Sequence, residues 1–237
     1  FFTILSVLLM TVSIHAKTLV VYYSYTNNVH HIMTDLLKQI DADVVRIQPA
    51  EKGLDYAANG YAIGSAQISA IRNNPDSPSS YPAIDPVEIN LSDYDCIIIG
   101  APLWWSNMAA PLQTFLFQHG KEMAGKHIGL IVSSSSSGIS GMEGDAKRLI
   151  PEGEFFSPSL WIRSAQTDNS ETLIREWLNK INYASLAGIE NPLFSPVSET
   201  FTVYSLSGQL INKDSPYINN LKSGLYVING KKTYIKN

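Results

Sequence analysis

The sequence predicts an α/β protein: a doubly wound parallel sheet of about five strands with helices on both faces, followed by a small all-β module. Three observations carry this. Apolar runs at residues 19–23, 96–99 and 128–132 have the character of strands buried on both faces of a parallel sheet. Residues at helical spacing follow each run, so strands and helices alternate. Beyond residue 198 the pattern changes to short strands separated by turn signals.

At 237 residues the chain is long enough for one sizeable core and a small appendage. The net charge of -4, from 17 basic and 21 acidic residues with no basic tract, argues against nucleic acid and against strong electrostatic docking. Cys96 is the single cysteine, which excludes an internal disulfide framework and a multi-cysteine metal site. Inside an apolar run it reads as a buried, inert thiol. Residues 1–16 read as a secretory signal peptide, because residues 1–14 are almost wholly apolar and end at Ile14-His15-Ala16. The run is too short to span a bilayer comfortably. It begins without Met and without a basic leader, as in a truncated gene start, and its other reading is a hydrophobic first strand. Export is the expectation, with a mature chain beginning near Lys17 and no cysteine there to carry a lipid.

In order, the first strand enters the turn Ser24-Tyr25-Thr26-Asn27-Asn28-Val29, and Val29, Ile32, Met33, Leu36, Leu37 and Ile40 then repeat at helical spacing. A short strand is expected at residues 43–47 and a helix over 56–72. The Pro, Ser, Asn and Asp of residues 73–86 predict a surface loop long enough to rim a pocket. The strand at 96–99 closes at Gly100 and opens into a loop holding Trp104 and Trp105. Met108, Leu112, Phe115 and Leu116 mark a helix with Pro111 in its first turn. The strand at 128–132 leads into a Ser/Gly loop over residues 133–141, then a helix over 142–150. The last strand lies within 155–162, interrupted by Pro158. The final helix carries Leu173, Ile174, Trp177, Leu178 and Ile181, with Asp168 and Glu171 as its capping pattern.

In such sheets ligands sit outside the carboxyl ends of the strands, where three unusual loops are expected to converge. The first joins a strand to a helix start, which presents unpaired N–H groups and the positive end of a helix dipole. No Lys or Arg occurs between Lys17 and Lys38, and neither a Gly-Lys-Ser/Thr loop nor Gly-x-Gly-x-x-Gly follows a strand. A nucleoside triphosphate is therefore disfavoured. Ser24, Thr26 and Asn28 offer what a single phosphomonoester needs, and they are equally the usual helix-capping residues. The tryptophans either stack on a flat ring or pack beneath the loop. One is expected to point inward and the other toward a ligand. Ser134, Ser135, Ser136, Ser137 and Gly138 offer small side chains and backbone N–H groups to a ring edge, or form a plain flexible loop. His30 and His31, adjacent on a helix with no second ligand cluster and no Gly-x-Ser-x-Gly, read as helix-surface residues.

Together these residues resemble the flavodoxin-like family, and within it the exported branch of Bacteroidetes-type bacteria, over residues 17–183. The family's first loop, approximately S-x-T-G-N-T, cradles the FMN phosphate and corresponds to Ser24, Tyr25, Thr26, Asn27, Asn28 and Val29. Its P-x-W-W loop corresponds to Pro102, Leu103, Trp104 and Trp105, followed by Pro111 and Phe115-Leu116. Its Ser/Gly loop corresponds to residues 134–141, and its E-W-L-x-K-I helix to Glu176, Trp177, Leu178, Lys180 and Ile181. The resemblance implies a five-stranded flavodoxin-like sheet and FMN as cofactor, with residues 24–29, 102–105 and 134–138 as its binding residues. Two departures stand in the phosphate loop. Asn27 replaces a Gly, and Val29 replaces a Thr hydroxyl whose loss costs roughly 1.5–3 kcal/mol.

After a linker over residues 184–198, the segment 199–237 shows short strands with turn signals at Ser207-Gly208 and Asn229-Gly230. It reads as a small interaction or stalk module, and it resembles the C-terminal sorting domains of type IX secretion. The expectation is an exported FMN-binding electron-transfer protein, either a carrier or a small reductase. Its partners would be FMN, an unidentified redox protein and the secretion machinery, without nucleic acid and without an integral membrane segment after signal removal. A flavin-free surface protein of the same fold is the alternative.

Overall fold

One sheet holds β1 (Thr18–Tyr22), β2 (Asp43–Arg46), β3 (Cys96–Trp104), the two-residue β4 (Asn107–Met108), β5 (His127–Ser134), β6 (Glu154–Phe155) and β7 (Leu160–Arg163). In this computed structural model the described residues are 16–187, 201–205, 207, 209–215, 224–228 and 231–235. The expected signal peptide up to residue 15, most of the linker, and the turn residues Gly208, Asn229 and Gly230 lie outside them. The chain divides into two units, residues 1–190 and 191–237.

The strand order is β2-β1-β3-β5, with β6 and β7 sharing the fifth position as two short parallel partners of β5. Pro158 falls between those two pieces, which is why the last strand is broken. All pairings are parallel except that of β4 with β3. The apolar runs explain this arrangement, because β1 and the first six residues of β3 are buried throughout. Leu19, Val21, Ile97, Ile99, Ile128 and Leu130 belong to one continuous core with residues of the helices α2 (Ala58–Asn73), α3 (Ala110–His119) and α4 (Ser140–Leu149). On the other face α1 (Asn28–Leu37) packs against α5 (Ser170–Lys180), which the short α6 (Tyr183–Leu186) follows. The stripe Val29, Ile32, Met33 and Leu36 is buried as its spacing predicts, each side chain contributing roughly 1.5–3 kcal/mol. Cys96 is fully buried, and desolvation pushes its thiol up to about 12, so it is inert.

Three expectations change. The strand at Cys96 does not close at Gly100: it runs on to Trp104 because β5 pairs with it as far as Pro102 and Ser133, after which β4 takes over at Leu103 and Met108. The tryptophans therefore stand on a β-hairpin. Residues 73–86 do not rim the cavity at the strand ends, because they are held against α3 and α4. Tyr81 stacks on Phe117 at 4.1 Å, Thr114 Oγ1 donates to the Pro82 carbonyl at 2.8 Å, and Arg148 Nη1 donates to Tyr81 Oη at 3.0 Å. Asp168 does not cap α5, since it lies in a 3-10 turn (Ser164–Asn169) that runs into the helix.

The C-terminal unit is an antiparallel sheet of four strands, β8 (Phe201–Ser205), β9 (Leu210–Ser215), β10 (Gly224–Ile228) and β11 (Lys231–Ile235), in the order β11-β10-β8-β9. Val203 and Ile228 pair across it and are buried.

Candidate functional site

The strand order reverses between β1 and β3, and ligands of open α/β sheets bind beyond the strand ends at such a point. A cavity of about 680 Å³ opens there, within the size range of small-molecule sites. Its wall combines Ser24, Tyr25, Thr26, Asn28 and Val29 with Pro102, Leu103, Trp104 and Trp105, and with Ser133, Ser134 and Ser135. Three segments far apart in sequence thus meet as expected. Of the residues singled out from sequence, Asn27, Ser136, Ser137 and Gly138 do not line it. β5 continues through Ser134, and of the residues that follow it in this loop Ser135 lines the cavity.

The first loop joins β1 to the start of α1. Asn27 adopts φ 65°, the left-handed backbone in which a Gly is usual, and so preserves the turn into α1. Its carbonyl accepts the His31 N–H at 2.9 Å. The His30 N–H is taken by Ser24 Oγ at 3.1 Å, so Ser24 does cap the helix. A hydroxyl can accept one bond and still donate another, which leaves the Ser24 O–H for a ligand. The N–H groups of Asn28 and Val29, in the first helical turn, have no intrahelical partner. Val29 is only 2% exposed and brings two methyl groups where the family pattern has a hydroxyl.

The aromatic wall comes from the hairpin and from a segment the sequence did not single out. Trp105 and Ser106 have φ of 47° and 61°, which places both in the left-handed region that a tight two-residue hairpin turn demands. Such a turn strains a Trp and must be held from outside. Asp145 in α4 holds it: its Oδ2 accepts the Met108 N–H at 2.9 Å and Asn107 Nδ2 at 3.1 Å, and its Oδ1 accepts Arg148 Nη2 at 3.2 Å. Gly141 lies directly against the Ser106 carbonyl, which a β-carbon there would overlap. Trp104 points inward, with its ring centroid 4.7 Å from that of Tyr56 and 5.6 Å edge-on from that of Tyr23. Trp105 is 45% exposed and lies over Gly64. Trp104 is thus the tryptophan that packs inward and Trp105 the exposed one, and both line the cavity.

Tyr56, Ala57, Tyr61 and Gly64, from the start of α2 and the segment before it, complete that wall, and Ser164 after β7 completes the polar end. Two tyrosines around the start of a helix, Tyr56 and Tyr61, were a usable sequence signal for the first group; Ser164 had none. Burial raises the hydroxyls of Tyr22, Tyr23 and Tyr56 above their ordinary value, so all three stay neutral near pH 7. His30 Nδ1 lies 2.7 Å from Tyr22 Oη and His31 Nε2 lies 3.3 Å from Asp35, both on α1 away from the cavity wall. Among the described residues no group of three or more His, Cys, Asp or Glu is placed to hold a metal ion.

The model of the family described as Flavodoxin matches residues 17–181. The chain belongs to the flavodoxin family. Two crystal structures of putative flavoproteins resemble this flavodoxin-family chain. That from Bacteroides eggerthii DSM 20697 is 25% identical, with 70% of this chain and 98% of the other covered at a TM-score of 0.57. That from Bacteroides uniformis ATCC 8492 is 26% identical, with 68% and 99% covered at a TM-score of 0.54. A flavoprotein from Lactobacillus acidophilus NCFM, crystallised in complex with FMN, shares the fold at 21% identity, with 65% and 97% covered at a TM-score of 0.51.

Proposed function

We propose that the chain binds FMN non-covalently in the cavity at the β1–β3 switch point and passes electrons, as a carrier or as a small reductase. One observation carries this reading. A single cavity has an anion-receptive helix start at one part of its wall, an aromatic surface at another, and small hydroxyl residues beside them. FMN has a phosphate, a flat ring and a polar ring edge, and the donor set fits each. Membership of the flavodoxin family supports the same ligand.

FMN, when bound, supplies the electron-transfer chemistry. The protein's own groups do the rest. The Ser24 and Thr26 hydroxyls and the first-turn N–H groups of α1 hold the phosphate through charge-assisted hydrogen bonds. Trp105 covers one side of the ring and excludes water from it, while Trp104, packed on Tyr56, keeps that side of the cavity from collapsing. Ser134 and Ser135 face the polar edge; Ser134 Oγ accepts Trp161 Nε1 at 2.9 Å, which fixes its rotamer and leaves its O–H to donate.

The test is a titration of the purified protein with FMN, followed by flavin fluorescence and the visible spectrum. Quenching and a shifted flavin spectrum are expected. Full fluorescence at tens of micromolar FMN sinks the reading and favours a flavin-free surface protein of the same fold. We further propose that the chain is exported, with residues 199–237 as a sorting tail that engages secretion machinery. The apolar residues 1–14 and the strand-and-turn pattern of the tail support this. Among the described residues no helix is long and apolar enough to cross a membrane. Finding the tagged full chain in the cytosolic fraction of a secreting bacterium would refute export.

A further inference from the structure

The residues lining the cavity include no Lys or Arg, yet a phosphomonoester carries a charge of about -1.5 to -2 near neutral pH. The fold brings a cation to the other side of the loop. Arg46 ends β2 opposite Tyr22 of β1. Its Nη2 donates to the Ser24 carbonyl at 3.4 Å and to Asn27 Oδ1 at 3.3 Å. Its guanidinium lies over the Tyr22 ring, 5.8 Å from the centroid, and that ring in turn stacks on His30 at 5.9 Å. Arg46 lines a smaller hollow of about 230 Å³ that shares Ser24, Tyr25 and Tyr56 with the main cavity. The loop runs between the two spaces. Among the described residues no carboxylate forms an ion pair with Arg46, and its buried Nε has no hydrogen-bond partner.

We infer that Arg46 is the residue that makes this loop prefer a phosphate: it fixes the loop in its anion-binding form and supplies positive charge from behind it. This rests on the FMN reading of the cavity. Arg46 works through the loop and is a positioning residue. A trans peptide directs its C=O and N–H to opposite sides, so holding the Ser24 carbonyl toward Arg46 turns the Tyr25 N–H away, toward the cavity. Gripping the Asn27 amide keeps that residue in the left-handed backbone which starts α1. The guanidinium charge, which no carboxylate among the described residues pairs with, acts across the loop on whatever anion occupies it, and salt screens this part of the attraction. Arg46 thereby offsets the hydroxyl that Val29 removes.

The experiment compares FMN with riboflavin, which lacks the phosphate, by fluorescence quenching at low and high salt. The unaltered protein is expected to bind FMN more tightly than riboflavin, by a margin that narrows with salt. Arg46→Gln is expected to lose roughly tenfold in FMN affinity, the size of one charge-assisted contact, with riboflavin unchanged and the salt dependence gone. Arg46→Lys, which keeps the charge and loses the fork, is expected to retain the salt dependence and part of the margin. An Arg46→Gln protein that keeps the full margin, or weakens both flavins alike, overturns the assignment while leaving FMN binding intact. An unaltered protein that binds neither flavin overturns the FMN reading and this inference with it.

Discussion

The Trp105 ring lies so close to Gly64 that a β-carbon at residue 64 would stand 3.1 Å from Cζ3 of that ring, and 3.4 Å from Cε3 of Trp104. A glycine inside a helix costs roughly 0.5–1 kcal/mol relative to alanine, so this one gives up helix stability to seat the aromatic wall. Gly64→Ala is expected to leave the melting temperature unchanged or slightly raised, because the exposed Trp105 can shift. Flavin affinity is expected to fall several-fold as the ring is displaced. A drop in stability with unchanged affinity would show that the tryptophan does not face the ligand.

Val29→Thr places a hydroxyl at the cavity wall. If the loop holds a phosphate there, FMN binds about tenfold more tightly, the value of one hydrogen bond to a charged group. Riboflavin is unaffected. Equal affinities for FMN before and after the change would mean that residue 29 does not meet the phosphate.

Asp145→Ala removes the acceptor that holds the strained Trp105-Ser106 turn. It leaves the buried Met108 N–H and one Arg148 contact unsatisfied. The expected cost is about 2–3 kcal/mol, which at this size lowers the melting temperature by roughly 5–10 °C. Because the turn carries Trp105, flavin binding should weaken too, and calorimetry with a parallel titration reads both effects.

Asp35 links α1 to α5, accepting Ser170 Oγ at 2.5 Å and Lys38 Nζ at 2.7 Å. Burial pushes its carboxyl up, but the Lys38 and Ser170 hydrogen bonds and the charges of Lys38 and His31 outweigh this, and the net shift is below the ordinary value of 3.8. A carboxyl lowered in the folded state contributes stability above its unfolded value and loses it as the pH falls through the folded one. Urea midpoints are therefore expected to fall as the pH drops from about 5 to about 3, and less steeply in Asp35→Asn. Parallel curves for the two proteins would contradict the assignment.

Much of the fold was legible because burial on both faces leaves a local trace. The runs around Val20, Ile98 and Leu130 are short, rich in β-branched residues and bounded by turn residues, as strands of a covered parallel sheet are, and the stripe at Val29, Ile32, Met33 and Leu36 has the spacing of one helix face. The loop at Ser24 was legible for the same reason, since strand, hydroxyl turn and helix are contiguous. The misread parts depend on distant partners. Where β3 ends is decided by β5 and β4, and which side of the fold the surface loop 73–86 lies on by Phe117, Thr114 and Arg148, contacts that no sequence pattern showed.

Sequence by itself determined the alternation of strands and helices, the three loops at the strand ends, the departures at Asn27 and Val29, and the separate β pattern after residue 198. The alternation, the loops and the β pattern are set by neighbours a few residues apart, and the two departures are read against the family's loop pattern. Only the tertiary structure decided that Tyr56 and Gly64 back the tryptophans, that Asp145 holds their turn, and that Arg46 stands behind the phosphate loop. Those contacts join residues whose separation along the chain carries no periodic signal, and they exist because parallel pairing of β1 with β2 and β3 brings their ends to one edge.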